Sequence, residues 1–137
     1  MPRHPTRSTR ASRQTHARSR RAGEPVVRFR MRITVGDVIA IGPGKVELLE
    51  AVERTGSITA AARSLDMSYR RAWILLDTLN RSLREPVVDS ARGGEQGGGS
   101  ALTETGRRLI DLYRQIENGA ASACRRDIER LVGMLAR

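Results

Sequence analysis

The stretch TGSITAAARSLDMSYRRAWILLDTLNRSL, from Thr55 to Leu83, decides the fold. Gly56 followed by Ser57 ends one helix and caps the next, because glycine accepts a left-handed backbone and a serine hydroxyl satisfies a free helix amide. Ile58, Ala61, Ala62 and Leu65 then stand at i, i+3, i+4 and i+7 on one face of a short helix, whose alanines permit close approach by a neighbour. Asp66-Met67-Ser68 breaks the pattern, Ser68 offers another cap, and Ala72, Leu76, Leu79 and Leu83 begin a third helix at helical spacing. Helix, three-residue turn, helix, with small residues where the two must touch, is the layout of a helix-turn-helix.

Counting around the third helix from Ala72 puts Leu76, Leu79 and Leu83 within roughly 40° of one direction, with Arg70 and Arg81 roughly opposite. Arg70 and Arg71 also occupy the first turn, the end that a helix-turn-helix inserts into the DNA major groove. There an arginine can make paired hydrogen bonds to guanine O6 and N7, worth about 1–3 kcal/mol of discrimination per base pair. Elsewhere two adjacent arginines would read as a solvated helix face; at the start of this helix they favour DNA. Tyr69 and Trp73 lie one turn apart on the flank. Trp73 is expected to pack under a neighbouring loop, with contact to a sugar-phosphate backbone as the alternative, and Ile74 points away from the core.

Upstream, Phe29, Met31, Ile33 and Val35 alternate with Arg28, Arg30, Arg32 and Thr34, the period of a half-buried strand. Gly36-Asp37 then turns the chain into Val38-Ile39-Ala40-Ile41, predicting a short antiparallel hairpin. Gly42-Pro43-Gly44 stops the strand, and Leu48, Leu49 and Val52 mark a helix over 45–53. A glycine-rich turn before a helix could hold a phosphate, but Lys45 lacks the following Ser/Thr and the spaced glycines of a P-loop, so an ordinary strand-to-helix turn is expected.

Downstream, Glu85-Pro86 ends the third helix, Val87-Val88-Asp89 reads as a strand, and Ala101-Leu102 returns as its partner after a loop with five glycines. A hairpin directly after a recognition helix is a wing, and Arg92 would let its tip reach a phosphate or the minor groove. Thr103 caps a final helical stretch in which Leu109, Leu112, Ile116, Ala120, Ala123, Ile128, Leu131 and Leu135 form an apolar stripe, with a kink expected at Gly119. That stripe is too long for so small a body to cover. Pairing with a second copy is expected, with a self-packed helical hairpin broken at Asn118-Gly119 as the alternative. Cys124 is expected to be a small buried apolar residue.

Composition narrows the function. The 137 residues carry 25 Lys+Arg against 15 Asp+Glu, and Lys45 is the only lysine. Residues 1–23 hold seven arginines and no acid, while the rest of the chain is only mildly basic, so nucleic-acid binding must rest on where its arginines sit. Residues 1–25 offer no side chain to build a core and are expected to be a disordered Arg-rich tail. His4 and His16 both lie there, and Cys124 is the one cysteine, so a Ser/His/Asp site or a His- and Cys-ligated zinc cannot be assembled in the body. No pair of carboxylates stands out, and an enzyme, a cofactor or a metal is not expected. One cysteine fits a reducing compartment, and no apolar run approaches the ~18–20 residues of a membrane span, so a soluble cytoplasmic protein is expected.

Thr55-Gly56-Ser57-Ile58, Ala61-Ala62, Met67-Ser68-Tyr69-Arg70-Arg71-Ala72-Trp73, Asn80, Gly93-Gly94 with Gly97-Gly98-Gly99, and Leu102-Thr103-Glu104-Thr105-Gly106 with Arg108-Leu109-Ile110 and Leu112-Tyr113 resemble the N-terminal DNA-binding domain of the ModE molybdate-responsive regulators. The resemblance runs from about residue 28 to 118, and its Thr-Gly-Ser-Ile and Leu-Thr-x-x-Gly pieces are shared with LysR-type winged helices. It implies DNA contact by Ser68, Tyr69, Arg70 and Arg71 and subunit pairing by the last helix. Full-length members carry molybdate in C-terminal β-rich domains, which the sequence to Arg137 does not contain, so direct molybdate binding is not expected. The expected architecture is thus mainly α with small β: the tail over 1–25, a winged helix-turn-helix over 26–102 and a dimerisation helix over 103–137. The candidate DNA-binding residues are Ser57, Thr59, Ser68, Tyr69, Arg70, Arg71, Trp73, Arg92 and Gly93. The expected function is a homodimeric, sequence-specific regulator of transcription on double-stranded DNA, using the recognition helix over 68–83 and the wing over 87–102. The alternative is an architectural nucleoid-type protein that binds DNA without reading bases.

Overall fold

The computed structural model describes residues 23–89 and 101–136. Strands β1 (Ile33–Val35) and β2 (Val38–Ile41) pair antiparallel around Gly36, whose φ of 60° is the left-handed conformation glycine adopts without a Cβ clash. The strand expected from Phe29 is shorter than its alternation suggested, because the ladder begins only at Ile33, where a bulge interrupts it. Nor is it half-buried: Ile33, Val35, Val38 and Ile39 are all exposed, and Ala40 is the buried residue of the pair. A two-stranded hairpin has few neighbours to cover it, and this one packs through β2 against the third helix.

Helix α1 (Pro43–Thr55) starts with proline in its first turn, where a missing amide costs nothing, and ends at Gly56 with φ 71°. Lys45 is buried; its ammonium donates to the carbonyls of Ile39 and, at 3.5 Å, Ala40, and desolvation lowers its pKa. The Gly-Pro-Gly-Lys turn is therefore a structural joint between β2 and α1, with its one cation turned onto backbone.

Helices α2 (Ile58–Ser64) and α3 (Tyr69–Ser82) realise the helix-turn-helix. Asp66 takes a left-handed φ of 53°, while the Met67 amide donates to Ala62 O at 3.0 Å and the Asp66 amide to Arg63 O at 3.3 Å. That pair of bonds closes the end of α2 and reverses the chain within the turn. Leu48, Leu49, Val52, Ile58, Ala61, Ala62, Ala72, Leu76 and Leu79 form one core, which continues to Val87, Val88, Leu102 and Ile110.

Strands β3 (Val88–Asp89) and β4 (Ala101–Leu102) pair antiparallel as the base of a wing. The Val87 amide donates to Asn80 Oδ1 at 2.8 Å, which ties this base to α3. Helix α4 (Glu104–Ala123) docks against it: Thr103 Oγ1 donates to Pro86 O at 2.7 Å and accepts from the Gly106 amide at 3.1 Å. A Cβ on Gly106 would lie 2.3 Å from Val87 O, so only glycine fits there. This explains the Leu-Thr-x-x-Gly spacing as a packing requirement.

The last helical stretch differs from expectation at three points. Helix α4 runs through Gly119 without interruption and stops at Cys124, after which α5 (Arg125–Gly133) begins. Gly119 has open space around it, so nothing forces a kink there. Cys124 is exposed, because the break between the helices lies beyond the reach of the core. The core-facing residues of α4 are Ile110 and Tyr113, whose hydroxyl donates to Met31 O at 2.9 Å. Arg114 pairs with both oxygens of Glu50 on α1, Nε at 3.3 Å, and with Glu117 at 2.6 Å. The Glu50 hydrogen bond is the main cause that raises its pKa. Burial and the nearby Glu117 carboxylate push the Tyr113 hydroxyl up.

Candidate nucleic-acid interface

The sealed core fixes which face of α3 is free. Leu76 and Leu79 are 3% and 0% exposed, so the opposite side of the helix must face outward. Tyr69, Arg70, Arg71 and Trp73 are all exposed on its first turns, Tyr69 at 53% and Trp73 at 49%. Packing of Trp73 under a loop is thereby corrected: half of the residue is open, leaving an indole face available beside the arginines. Ile74, 47% exposed, points outward as its position implied.

Neither the Arg70 nor the Arg71 guanidinium makes a hydrogen bond or ion pair with another described residue. Arg81, farther along α3, is held by Asp77 at 3.1 Å. The cationic donors at the front of α3 thus have no partner among the described residues, while the one at its rear is paired. The helix end adds to this field. First-turn amides lack helical acceptors and concentrate the positive end of the helix dipole, and neither α2 nor α3 has an acid in its first turn to neutralise it. Helices α4 and α5, by contrast, begin with Glu104 and Asp127.

Ser57 and Ser68 have structural work at these ends. Ser57 Oγ accepts from the Ala60 amide at 3.2 Å, and Ser68 Oγ accepts from the Arg71 amide at 3.1 Å. Ser68 therefore orders the helix that carries the exposed cations, and Ser57 orders the helix that precedes it. Thr59 is exposed in the first turn of α2, on a different helix end from Tyr69–Trp73. Arg92 and Gly93 lie outside the described residues.

Two surfaces escaped the sequence reading. Arg30 and Arg32 line a cleft of about 560 Å³ together with Arg71, Leu75 and Thr78 of α3. Their alternation had marked them only as the polar side of a strand. An apolar groove of about 410 Å³ lies between the N-terminal segment and α4, lined by Met31, Ile33, Ile41, Leu109, Leu112 and Ile116 among others. The α4 stripe signalled half of this groove; the hairpin's share came from its unexpected exposure. Among the described residues no cluster of His, Cys, Asp or Glu could hold a metal ion, and no helix is long and apolar enough to cross a membrane.

Residues 44–107 match the sequence model of the bacterial regulatory helix-turn-helix protein, lysR family. The molybdenum transport protein ModE of Azotobacter vinelandii is 43% identical over 102 residues, which is 74% of this chain and 38% of that protein. The molybdenum-pterin-binding protein MopB of Rhodobacter capsulatus is 48% identical over 81 residues, 59% of this chain and 30% of that protein. The DNA-binding transcriptional dual regulator ModE of Escherichia coli K12 is 38% identical over 71 residues, 52% of this chain and 27% of that protein. The chain spans well under half the length of these curated relatives.

Proposed function

Because residues 44–107 are a LysR-type helix-turn-helix domain and the chain is ModE-like around them, we propose that it is a DNA-binding regulator of transcription that reads a specific operator as a homodimer. The observation that carries this reading is the front of α3: two exposed guanidiniums without a partner among the described residues, on a helix whose other face is sealed into the core. Arg70 and Arg71 supply the base contacts. Tyr69, Trp73, Ser57, Thr59 and Ser68 flank them on the backbone side, and the wing residues Arg92 and Gly93 reach an adjacent groove.

The homodimer is supported by the apolar groove beside α4, where Leu112 and Ile116 are half exposed. A second copy seated there through its own α4 would bury both faces by two-fold symmetry. Two recognition helices would then meet half-sites one DNA turn apart, ~34–36 Å, on an inverted repeat. Molybdate is given no binding role on the described residues.

Selection from a random duplex pool tests this. The expected result is enrichment of an inverted repeat, preferred over bulk DNA by roughly 10³-fold or more, with the preference kept when residues 1–24 are deleted. Binding without enrichment, lost with that deletion, would establish the architectural alternative instead.

A further inference from the structure

We propose that Arg30 and Arg32, in the cleft they share with the flank of α3, grip the DNA sugar-phosphate backbone at the rim of the major groove, as a contact separate from base reading by Arg70 and Arg71. This rests on the DNA-binding function proposed above and assigns the segment leading into β1 a part in it.

The cleft holds about 560 Å³ and runs along the flank of α3, with Arg71 in the helix's first turn and Leu75 and Thr78 behind it. Arg30 and Arg32 stand two residues apart just before β1, and both line the cleft. None of the three guanidiniums makes a hydrogen bond or ion pair with another described residue. Asp37 is the one acid among the lining residues, and the Lys45 ammonium is already turned onto the carbonyls of Ile39 and Ala40. Among the described residues three cations therefore share one carboxylate, an excess of positive charge that suits an external anion.

Duplex geometry identifies that anion. A helix with its side chains is about 10–12 Å across and the major groove about 12 Å wide, so a seated α3 fills the groove. Whatever flanks its leading end must then lie over the phosphates of the rim. A guanidinium's planar fork matches two phosphate oxygens, which a row of arginines repeats along a backbone.

The test uses the full chain and its R30A/R32A variant, each titrated onto the duplex selected by the unmodified chain and onto a scrambled duplex. Two lost phosphate contacts should make the log-log salt slope shallower by about 1.8, so that between about 50 and 200 mM salt the variant loses roughly tenfold less affinity than the parent. The preference for selected over scrambled duplex should stay within about twofold. An R30K/R32K variant, which keeps the charge, should restore the slope, and hydroxyl-radical footprints of R30A/R32A should lose protection at the outer edges of each half-site. An unchanged slope and footprint would overturn the proposal while leaving the DNA-binding function standing. Binding of inorganic phosphate that depends on Arg30 and Arg32, without any change in the duplex slope, would overturn it in favour of a free-anion site. A parent chain that binds no duplex removes both.

Discussion

Helices α3 and α4 both carry an apolar stripe, and the fold closes one and leaves the other partly open. In α3, Ala72, Leu76 and Leu79 are all inside the core, and everything outside the stripe is polar, aromatic or charged apart from Ile74 and the half-buried Leu75. In α4 the apolar residues divide. Ile110 and Tyr113 face the subunit's own core, while Leu112 and Ile116 line a groove with Met31, Ile33 and Ile41. A stripe that one subunit exhausts fixes a helix rigidly and leaves its far side for a ligand. A stripe wider than the subunit can cover creates a second surface, and apolar surface of that kind is satisfied by another apolar surface.

This contrast can be broken by mutation. Leu79→Ala should cost about 2–5 kcal/mol in denaturant unfolding, because the site is closed on all sides. A cost under about 1 kcal/mol would mean that α3 is not sealed. Gly106→Ala drives a methyl into Val87 O and should cost about 1–3 kcal/mol, with loosening at the wing base visible as faster amide exchange at Val87 and Thr103. Asp66→Gly relieves a left-handed residue at the turn and should gain about 0.5–1 kcal/mol in the same unfolding assay. A loss there would show that the Asp66 side chain matters more than its backbone. Paired Leu112→Glu and Ile116→Glu changes should leave helical circular dichroism unaltered but halve the mass seen by sedimentation, since both positions are half exposed and lie outside the buried core of the subunit. A dimer that survives them does not use this groove.

The helix-turn-helix was legible because its determinants are local. Ser57, Ser68 and Gly56 mark ends by chemistry that acts within a few residues, and the structure uses each as the sequence implied. The α4 surface was less so. Leu109, Leu112 and Ile116 define a stripe by composition, but which side of it meets the core depends on Tyr113 reaching Met31, 82 residues away in sequence, and Arg114 reaching Glu50, 64 away. Periodicity reports that a face is apolar, not what will cover it. The same gap explains the exposed hairpin, whose alternation implies a half-buried strand, and Cys124, whose residue type implies burial. Arg30 and Arg32 were hidden for a related reason: an arginine on the polar side of a strand looks the same in sequence whether it meets water or a cleft shared with another helix.

The most direct measurement is the ratio of affinities for selected and scrambled duplex in an R70A/R71A variant, read alongside its unfolding free energy. Both side chains are exposed, so stability should stay within about 0.5 kcal/mol of the parent. The ratio should fall by at least about thirtyfold, the equivalent of two lost bidentate base contacts at the low end of their range. A folded variant with its preference intact would contradict the claim that the front of α3 reads DNA.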